Sequence, residues 1–292
     1  MFSSPAEVAT ELAGVDYLAD AATATTVFLA ASLQRPLLVE GPAGVGKTEL
    51  AKAVAAASGA ELVRLQCYEG LDEARALYEW NYRKQLLRIQ ASVATEAGAS
   101  AWEQTHDDIF TEEFLLTRPL LTAIRRDGPT VLLIDEADKT DIEVEALLLE
   151  VLSEFQVTIP ELGTVTATRR PFVVVTSNAT RELSEALKRR CLYLYLDYPT
   201  PEREREIVLA RVPEIEGALA DQLVRSAATL RSLELKKAPS VAETIDWART
   251  LLALGIDELD EAAIASTLGV VLKHVSDHAR ATKELGLPAV GR

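Results

Sequence analysis

The stretch "RPLLVEGPAGVGKTELAKAVAAASG", residues 35–59, decides how this chain is read. Its centre, Gly41 to Thr48, has the spacing G-x-x-x-x-G-K-T. The run before it is apolar and short enough for a buried strand. The run after it is rich in alanine, carries Leu50, Val54 and Ala57 on one side, and meets a stop signal at Gly59. Strand, glycine loop and helix are the arrangement a phosphate group requires. Glycines at 41, 44 and 46 let backbone N–H groups turn toward an anion at a helix N-terminus. Lys47 can reach β- and γ-phosphates, and the Thr48 hydroxyl can ligate Mg²⁺. The sequence therefore predicts an ATP-type phosphate site over Gly41, Pro42, Ala43, Gly44, Val45, Gly46, Lys47, Thr48 and Glu49, with Mg²⁺ as the companion cation.

The chain has 292 residues, 48% of them hydrophobic, which suffices for one large domain and a smaller one. A net charge of −15 argues against a general grip on nucleic acid, which needs a basic face, so no nucleic-acid partner is expected. The opening "MFSSPAEVATELAG" lacks the charged and apolar regions of a secretory signal. No run approaches the roughly 18 apolar residues of a membrane span. The expected location is cytoplasmic. Two cysteines, Cys67 and Cys191, suit a reducing compartment and sit among apolar neighbours as small core residues.

Strands are expected at 36–40, 61–67, 130–135, 172–177 and 192–197, with helical patterns between them. That alternation implies an α/β fold with a parallel five-stranded sheet. Past Pro199 and Pro201 the pattern is wholly helical, and Val241, Ile245, Ala248 and Leu252 fall on one helical face. A boundary near residue 200 divides a nucleotide-binding core, 1–200, from an all-α domain, 201–292.

A second constellation completes the site. "TVLLIDEADK", residues 130–139, is apolar up to Asp135 and Glu136. Asp135 suits the Mg²⁺ shell, and Glu136 suits orienting or deprotonating an attacking water. A chain that only held nucleotide would need the first and not the second, so the pair favours hydrolysis. Thr140 and Glu143 have capping-box spacing ahead of an apolar stripe at Val144, Leu147, Leu148, Val151 and Leu152. "FQVTIPELGTVTAT" reads as a hairpin with Gly163 in its turn. "RRPFVVVTSNAT" brings Thr176, Ser177 and Asn178 to a strand end, where open α/β sheets bind ligands. "LKRRC" then sets Lys188, Arg189 and Arg190 beside a further strand.

In this order the pieces resemble the AAA+ ATPases, and more narrowly the MoxR family. "GPAGVGKT" is similar to the Walker A loop, "VLLIDEADK" to Walker B, "TSN" to sensor 1 and "LKRRC" to the arginine-finger segment. The resemblance covers nearly the whole chain. It implies an AAA+ P-loop core, a small helical lid, and self-assembly into a ring, usually a hexamer. It assigns catalytic roles to Glu136, Asn178 and Arg190, with Arg189 as the second choice for the finger, and makes Thr48 and Asp135 the Mg²⁺ residues. Gln66 is the residue that would restrain the glutamate. "RLQCYEGLDEARALYEWNYRKQLLRIQ", residues 64–90, looks like the ATPase group encoded with carbon monoxide dehydrogenase accessory proteins. That likeness implies a chaperone working with a von Willebrand A-domain partner on a client metalloenzyme, in maturation of its metal cofactor. Val241 stands near the place of the family's sensor 2 arginine, so either Arg249, two turns on, substitutes for it or the lid lacks that contact.

Three competing classes lack the features they require. A DNA-handling motor needs a basic pore, a metal-delivery GTPase needs an N-K-x-D motif, and a non-hydrolysing ring subunit has no use for Glu136. One segment reads two ways. A chain with three Trp, seven Tyr and six Phe places Tyr68, Tyr78, Trp80 and Tyr82 within fifteen residues of each other, either to grip a client in a ring pore or to pack an insertion onto the core. Tyr68, next to Gly70, is the better pore candidate.

Overall fold

A computed structural model describes residues 1–93 and 109–288. The helices are α1 (Pro5–Ala13), α2 (Ala21–Leu33), α3 (Lys47–Ala57), α4 (Glu73–Ala76), α5 (Tyr82–Val93), α6 (Pro119–Arg125), α7 (Ile142–Glu154), α8 (Glu185–Arg190), α9 (Pro201–Arg211), α10 (Gly217–Ser232), α11 (Val241–Leu254), α12 (Glu261–Val271) and α13 (Val275–Glu284). The strands are β1 (Leu37–Glu40), β2 (Glu61–Gln66), β3 (Tyr78–Trp80), β4 (Leu115–Thr117), β5 (Thr130–Asp135), β6 (Gln156–Ile159), β7 (Gly163–Thr166), β8 (Phe172–Ser177) and β9 (Leu192–Tyr195).

Five strands form one sheet in the order β2-β5-β8-β1-β9. The β2–β5, β5–β8 and β8–β1 pairs are parallel. This is the five-stranded parallel α/β sheet expected from the alternating pattern. Its central strands read as unbroken apolar runs because both faces are covered. Leu132, Ile134, Val173 and Val175 belong to one core cluster, while Val131, Leu133 and Val174, which point the other way, are equally buried. Register brings the strand ends level: Gln66 lies opposite Asp135, and Glu40 opposite Ser177.

The chain divides into two compact units. One comprises Met1–Glu11, Asp20–Glu40 and Ala51–Leu194; the other comprises Leu12–Ala19, Gly41–Leu50 and Tyr195–Arg292. The second unit has its own core, built on Val208, Leu223, Trp247, Leu251 and Leu268. Trp247 is fully buried, and its indole N–H donates to Thr267 Oγ1 at 2.7 Å, satisfying its one polar atom. The buried face of α11 is Val241, Thr244, Trp247, Ala248 and Leu251. Ile245 and Leu252, expected on that face, lie at its border and are only partly buried.

Two local expectations meet different outcomes. Gly59, at φ 61°, ends α3: its N–H bonds Ala56 O at 3.2 Å, and Ala60 N bonds Ala55 O at 2.9 Å. This paired closure is what a left-handed glycine past a helix end provides. The capping box at Thr140 and Glu143 does not form. Thr140 Oγ1 instead donates back to Ala137 O at 2.8 Å, closing a 3₁₀ turn over Ala137–Lys139, and α7 starts after Asp141. The hydroxyl is consumed by the turn before the helix begins.

The core-packing reading of the aromatic segment holds for Trp80 and Tyr78. Trp80 is buried on β3, which pairs antiparallel with β4, and its ring meets Phe110 edge-on at 5.2 Å between centroids. Tyr78 is partly buried against the same core, whereas Tyr68 and Tyr82 are exposed. Trp80→Ala is therefore expected to cost about 3–5 kcal/mol of stability, the usual range for truncating a core aromatic. Tyr68→Ala is expected to stay within about 0.5 kcal/mol of the parent, as surface changes do. Urea melts of the two variants check this; an equal loss in both would place Tyr68 in the core.

Candidate active site

The phosphate loop leaves the sheet at the residue after Glu40. Lys47 is buried and donates from Nζ to Gly41 O and Pro42 O, each at 2.7 Å. Glycine is needed at two points. A Cβ on Gly41, φ 151°, would lie 1.9 Å from Leu196 O, and one on Gly44, φ 77°, would lie 2.3 Å from the Ser240 Cβ. Neither backbone angle suits a side chain. Ala242 N, in the first turn of α11, donates to Gly44 O at 3.3 Å. Ser240 caps α11 in a full capping box with Glu243. Just before it, Pro239 O accepts from Arg231 Nε at 2.7 Å, while Arg231 Nη2 holds the buried Glu204 carboxylate at 2.7 Å. The segment facing the loop is thus fixed by a buried ion pair. Glu49 is met by Arg211 on α9, with Nη2 3.3 Å from Oε2. Of the sensor 2 candidates, Val241 is buried at the helix start, and Arg249 is exposed, 3.4 Å from Asp246.

The acidic constellation is built at the ends of β5, β2 and β8. Asp135 is buried; its Oδ1 accepts from Thr176 Oγ1 at 2.6 Å, and its Oδ2 accepts from Arg64 Nη2 at 2.6 Å and Nε at 3.1 Å. Glu136 adopts a left-handed backbone, φ 59° and ψ 48°, a costly conformation for a residue with a Cβ. Its N–H donates to Thr176 Oγ1 at 2.9 Å, which helps hold that turn. Three donors converge on its carboxylate: Gln66 Nε2 at 2.9 Å and Lys139 Nζ at 2.7 Å on Oε2, and Asn178 Nδ2 at 3.4 Å on Oε1. The bond to Glu136 raises the Lys139 ammonium above its ordinary pKa.

Asp138 organises the loop that carries Asn178. It accepts from Asn178 N at 3.2 Å, Thr180 N at 3.0 Å and Thr180 Oγ1 at 2.5 Å. Burial pushes this carboxyl up, but the Thr180 and Asn178 hydrogen bonds outweigh it and hold the group below the ordinary carboxylate value. Cys67 lies behind Asp135 with its thiol pushed up to about 12, by burial first and then by Asp135, Asp138 and Glu136. It is a core residue with no thiolate to offer. Cys191 is likewise pushed up to about 12 by burial.

The arginine segment sits on α8. Arg190 and Arg189 are both exposed, and Arg190 donates from Nε to Ser153 Oγ at 2.6 Å and from Nη1 to Ala186 O at 3.2 Å. Arg35 closes the C-terminus of this helix, donating to Arg189 O at 2.6 Å and to Arg190 O and Cys191 O at 3.2 Å each. Lys188 is engaged by Glu182 at 2.9 Å.

Thr48 and Asp135 offer a hydroxyl and a carboxylate, hard oxygen donors that fit Mg²⁺ and not a soft metal. Among the described residues no cluster of three or more His, Cys, Asp or Glu forms a metal site of its own. Mg²⁺ needs no such cage, since it is commonly held by one or two carboxylates and the phosphates it travels with.

A phosphate loop after the first strand and an acidic pair after the third in sequence, on a β2-β5-β8-β1-β9 sheet, define a nucleotide-binding AAA fold. The family model described as AAA domain, dynein-related subfamily, matches residues 36–191, more than half of the chain. The protein belongs to that family, whose members are in general ATPases and commonly assemble as rings. It is 23% identical over 248 residues to an uncharacterized protein, SH1500, of Staphylococcus haemolyticus strain JCSC1435, covering 81% of this chain and 86% of the relative. It is 24% identical over 216 residues to the denitrification regulatory protein NirQ of Stutzerimonas stutzeri, covering 72% and 68%. It is 31% identical over 144 residues to the ATP-dependent Clp protease ATP-binding subunit ClpL of Lactococcus lactis subsp. lactis, covering 49% of this chain and 16% of that protein. Among the described residues no helix is long and apolar enough to cross a membrane.

Sequence reasoning missed Arg64 and Arg211. A signal existed for the first: Arg64 and Gln66 are two apart on one strand and so share a face. Arg211 closes α9, and its partner Glu49 on α3 is remote in sequence, so no local pattern marks it.

Proposed function

We propose that this protein is a MoxR-type AAA+ ATPase that hydrolyses Mg–ATP and uses the cycle to remodel or activate a client enzyme. Residues 1–200 form its nucleotide-binding core and 201–292 its helical lid. The observation that carries the reading is the treatment of Glu136. A strained backbone and three converging donors hold one carboxylate beside the buried Asp135. Such construction suits a group that must accept a proton from a positioned water, and serves nothing in a chain that only binds.

The residues Gly41 to Glu49 hold the phosphates, with Lys47 exchanging the Gly41 and Pro42 carbonyls for phosphate oxygens. Thr48 and Asp135 hold Mg²⁺, which supplies charge neutralisation at the β- and γ-phosphates. Glu136 orients the attacking water and takes its proton, and Asn178 steadies water and γ-phosphate. Arg190 serves the site of a neighbouring subunit in a ring, probed below.

NirQ is by name a regulatory protein of denitrification, and ClpL an ATP-binding subunit of a protease; both names favour action on another protein. The likeness of residues 64–90 is the ground for proposing cytoplasmic maturation of a metalloenzyme together with a von Willebrand A-domain partner. A DNA motor is disfavoured by the net charge of −15. Mg²⁺-dependent release of phosphate from ATP, unchanged by added DNA, is the expected result. Absence of turnover in assembled protein, or stimulation by DNA, would overturn it.

A further inference from the structure

Arg64 is a half-exposed side chain whose guanidinium lies on the buried Asp135 carboxylate. Its two bonds to Oδ2 form a charge-assisted fork. The same Nη2 also donates to Gln66 Oε1. That contact fixes the amide: with its oxygen toward Arg64, the NH₂ of Gln66 is the end that meets Glu136 Oε2. One cation therefore touches the metal carboxylate directly and the hydrolytic carboxylate through a single amide.

Resting on the ATPase reading above, we propose that Arg64 is a positioning residue that stands in for the divalent cation on Asp135 and ties its arrival to the release of Glu136. Before Mg²⁺ binds, Arg64 neutralises a carboxylate that has little access to solvent. It also keeps the Gln66 amide turned so that Glu136 is held. To give Asp135 to a cation's water shell, Arg64 must withdraw. Gln66 Oε1 then loses its donor and the amide is free to turn. The hold on Glu136 falls to Lys139 and Asn178, and of these Asn178 is the more distant at 3.4 Å. Nucleotide lacking Mg²⁺ leaves Arg64 in place, so the water-activating group stays restrained until the complete substrate is present. No covalent bond is made or broken in this step; Arg64 would yield Asp135 to the water shell of the arriving cation.

Competition gives the test a readout apart from turnover. Binding of mant-labelled adenylyl imidodiphosphate is followed as Mg²⁺ is titrated, in the parent, Arg64→Lys and Arg64→Gln, with EDTA as the zero point. Removing a partly exposed competing cation lowers the half-saturating Mg²⁺ about three- to tenfold in Arg64→Gln. Arg64→Lys, which keeps the charge and loses the fork, falls between it and the parent. Affinity in EDTA is the same in all three. If Arg64→Gln does not fold, parent against Arg64→Lys decides the question by the sign of the shift. Variants with an unchanged or raised Mg²⁺ requirement, beside a parent whose binding depends on Mg²⁺, overturn the role of Arg64 alone. A parent that binds the analogue equally in EDTA and Mg²⁺, or not at all, removes the ATPase reading and this inference with it.

Discussion

Glu136→Gln keeps ATP bound and slows its hydrolysis on the order of 10²–10⁴-fold, the range for loss of a general base. The amide has the size of the carboxylate and can still accept from Lys139, so the strained turn at residue 136 has its contacts. It cannot take a proton from water. Lys47→Ala differs in kind: it removes the ammonium that the loop carbonyls of Gly41 and Pro42 hold in readiness, and weakens binding itself. Single-turnover hydrolysis and nucleotide titration, run side by side, separate the two. Wild-type turnover in Glu136→Gln would falsify the assignment of the base and leave the three donors around it as structural contacts.

Arg190→Ala lowers turnover by about 10³–10⁵-fold, the value of an arginine that meets charge developing on a transferring phosphoryl group. The side chain is exposed, and its bonds run to Ser153 Oγ and Ala186 O, a hydroxyl and a helix carbonyl. Neither is a carboxylate, so leaving them forfeits no ion pair. Arg35 fixes the backbone beneath it and so aims the segment while the guanidinium stays movable. If the arginine acts on a neighbour, inactive Lys47→Ala and inactive Arg190→Ala subunits regain part of the activity when mixed. Some interfaces then pair an intact phosphate loop with an intact arginine. Mixed rings that form and stay inactive rule out the shared site, and Arg189 is the next side chain to change.

The three central strands of the sheet were legible because they are buried on both faces. An apolar run of four to six residues between glycine or proline signals has few other places to go, and all five strands fall within two residues of their expected limits. Asp135 and Glu136 followed as the first polar pair past such a run, and Asn178 as the last of three polar residues past another. The small ribbon of β3 and β4 was not legible. Its strands are three residues each and pair Trp80 with Leu115, a partner far along the chain. The face of α11 was displaced because Thr244 counts as polar in a pattern, although its hydroxyl is satisfied by Ser240 O at 3.1 Å and it is fully buried. Arg64 escaped notice for a related reason. An arginine on an edge strand reads as solvated until the acid it reaches, 71 positions away, is placed beside it.

The sheet order also bears on how the chain is made. β1, the earliest strand to leave a ribosome, sits between β8 and β9, the last two. Its register partner for Leu37 is Val174, so at roughly 5–20 residues per second the first partner strand emerges on the order of ten seconds later. Throughout that interval Leu37, Leu38 and Val39 present unpaired edges on both sides, the kind of template on which growing chains adhere to one another. The placement of one four-residue strand thus leaves the nascent chain with an open edge until most of the protein has been made.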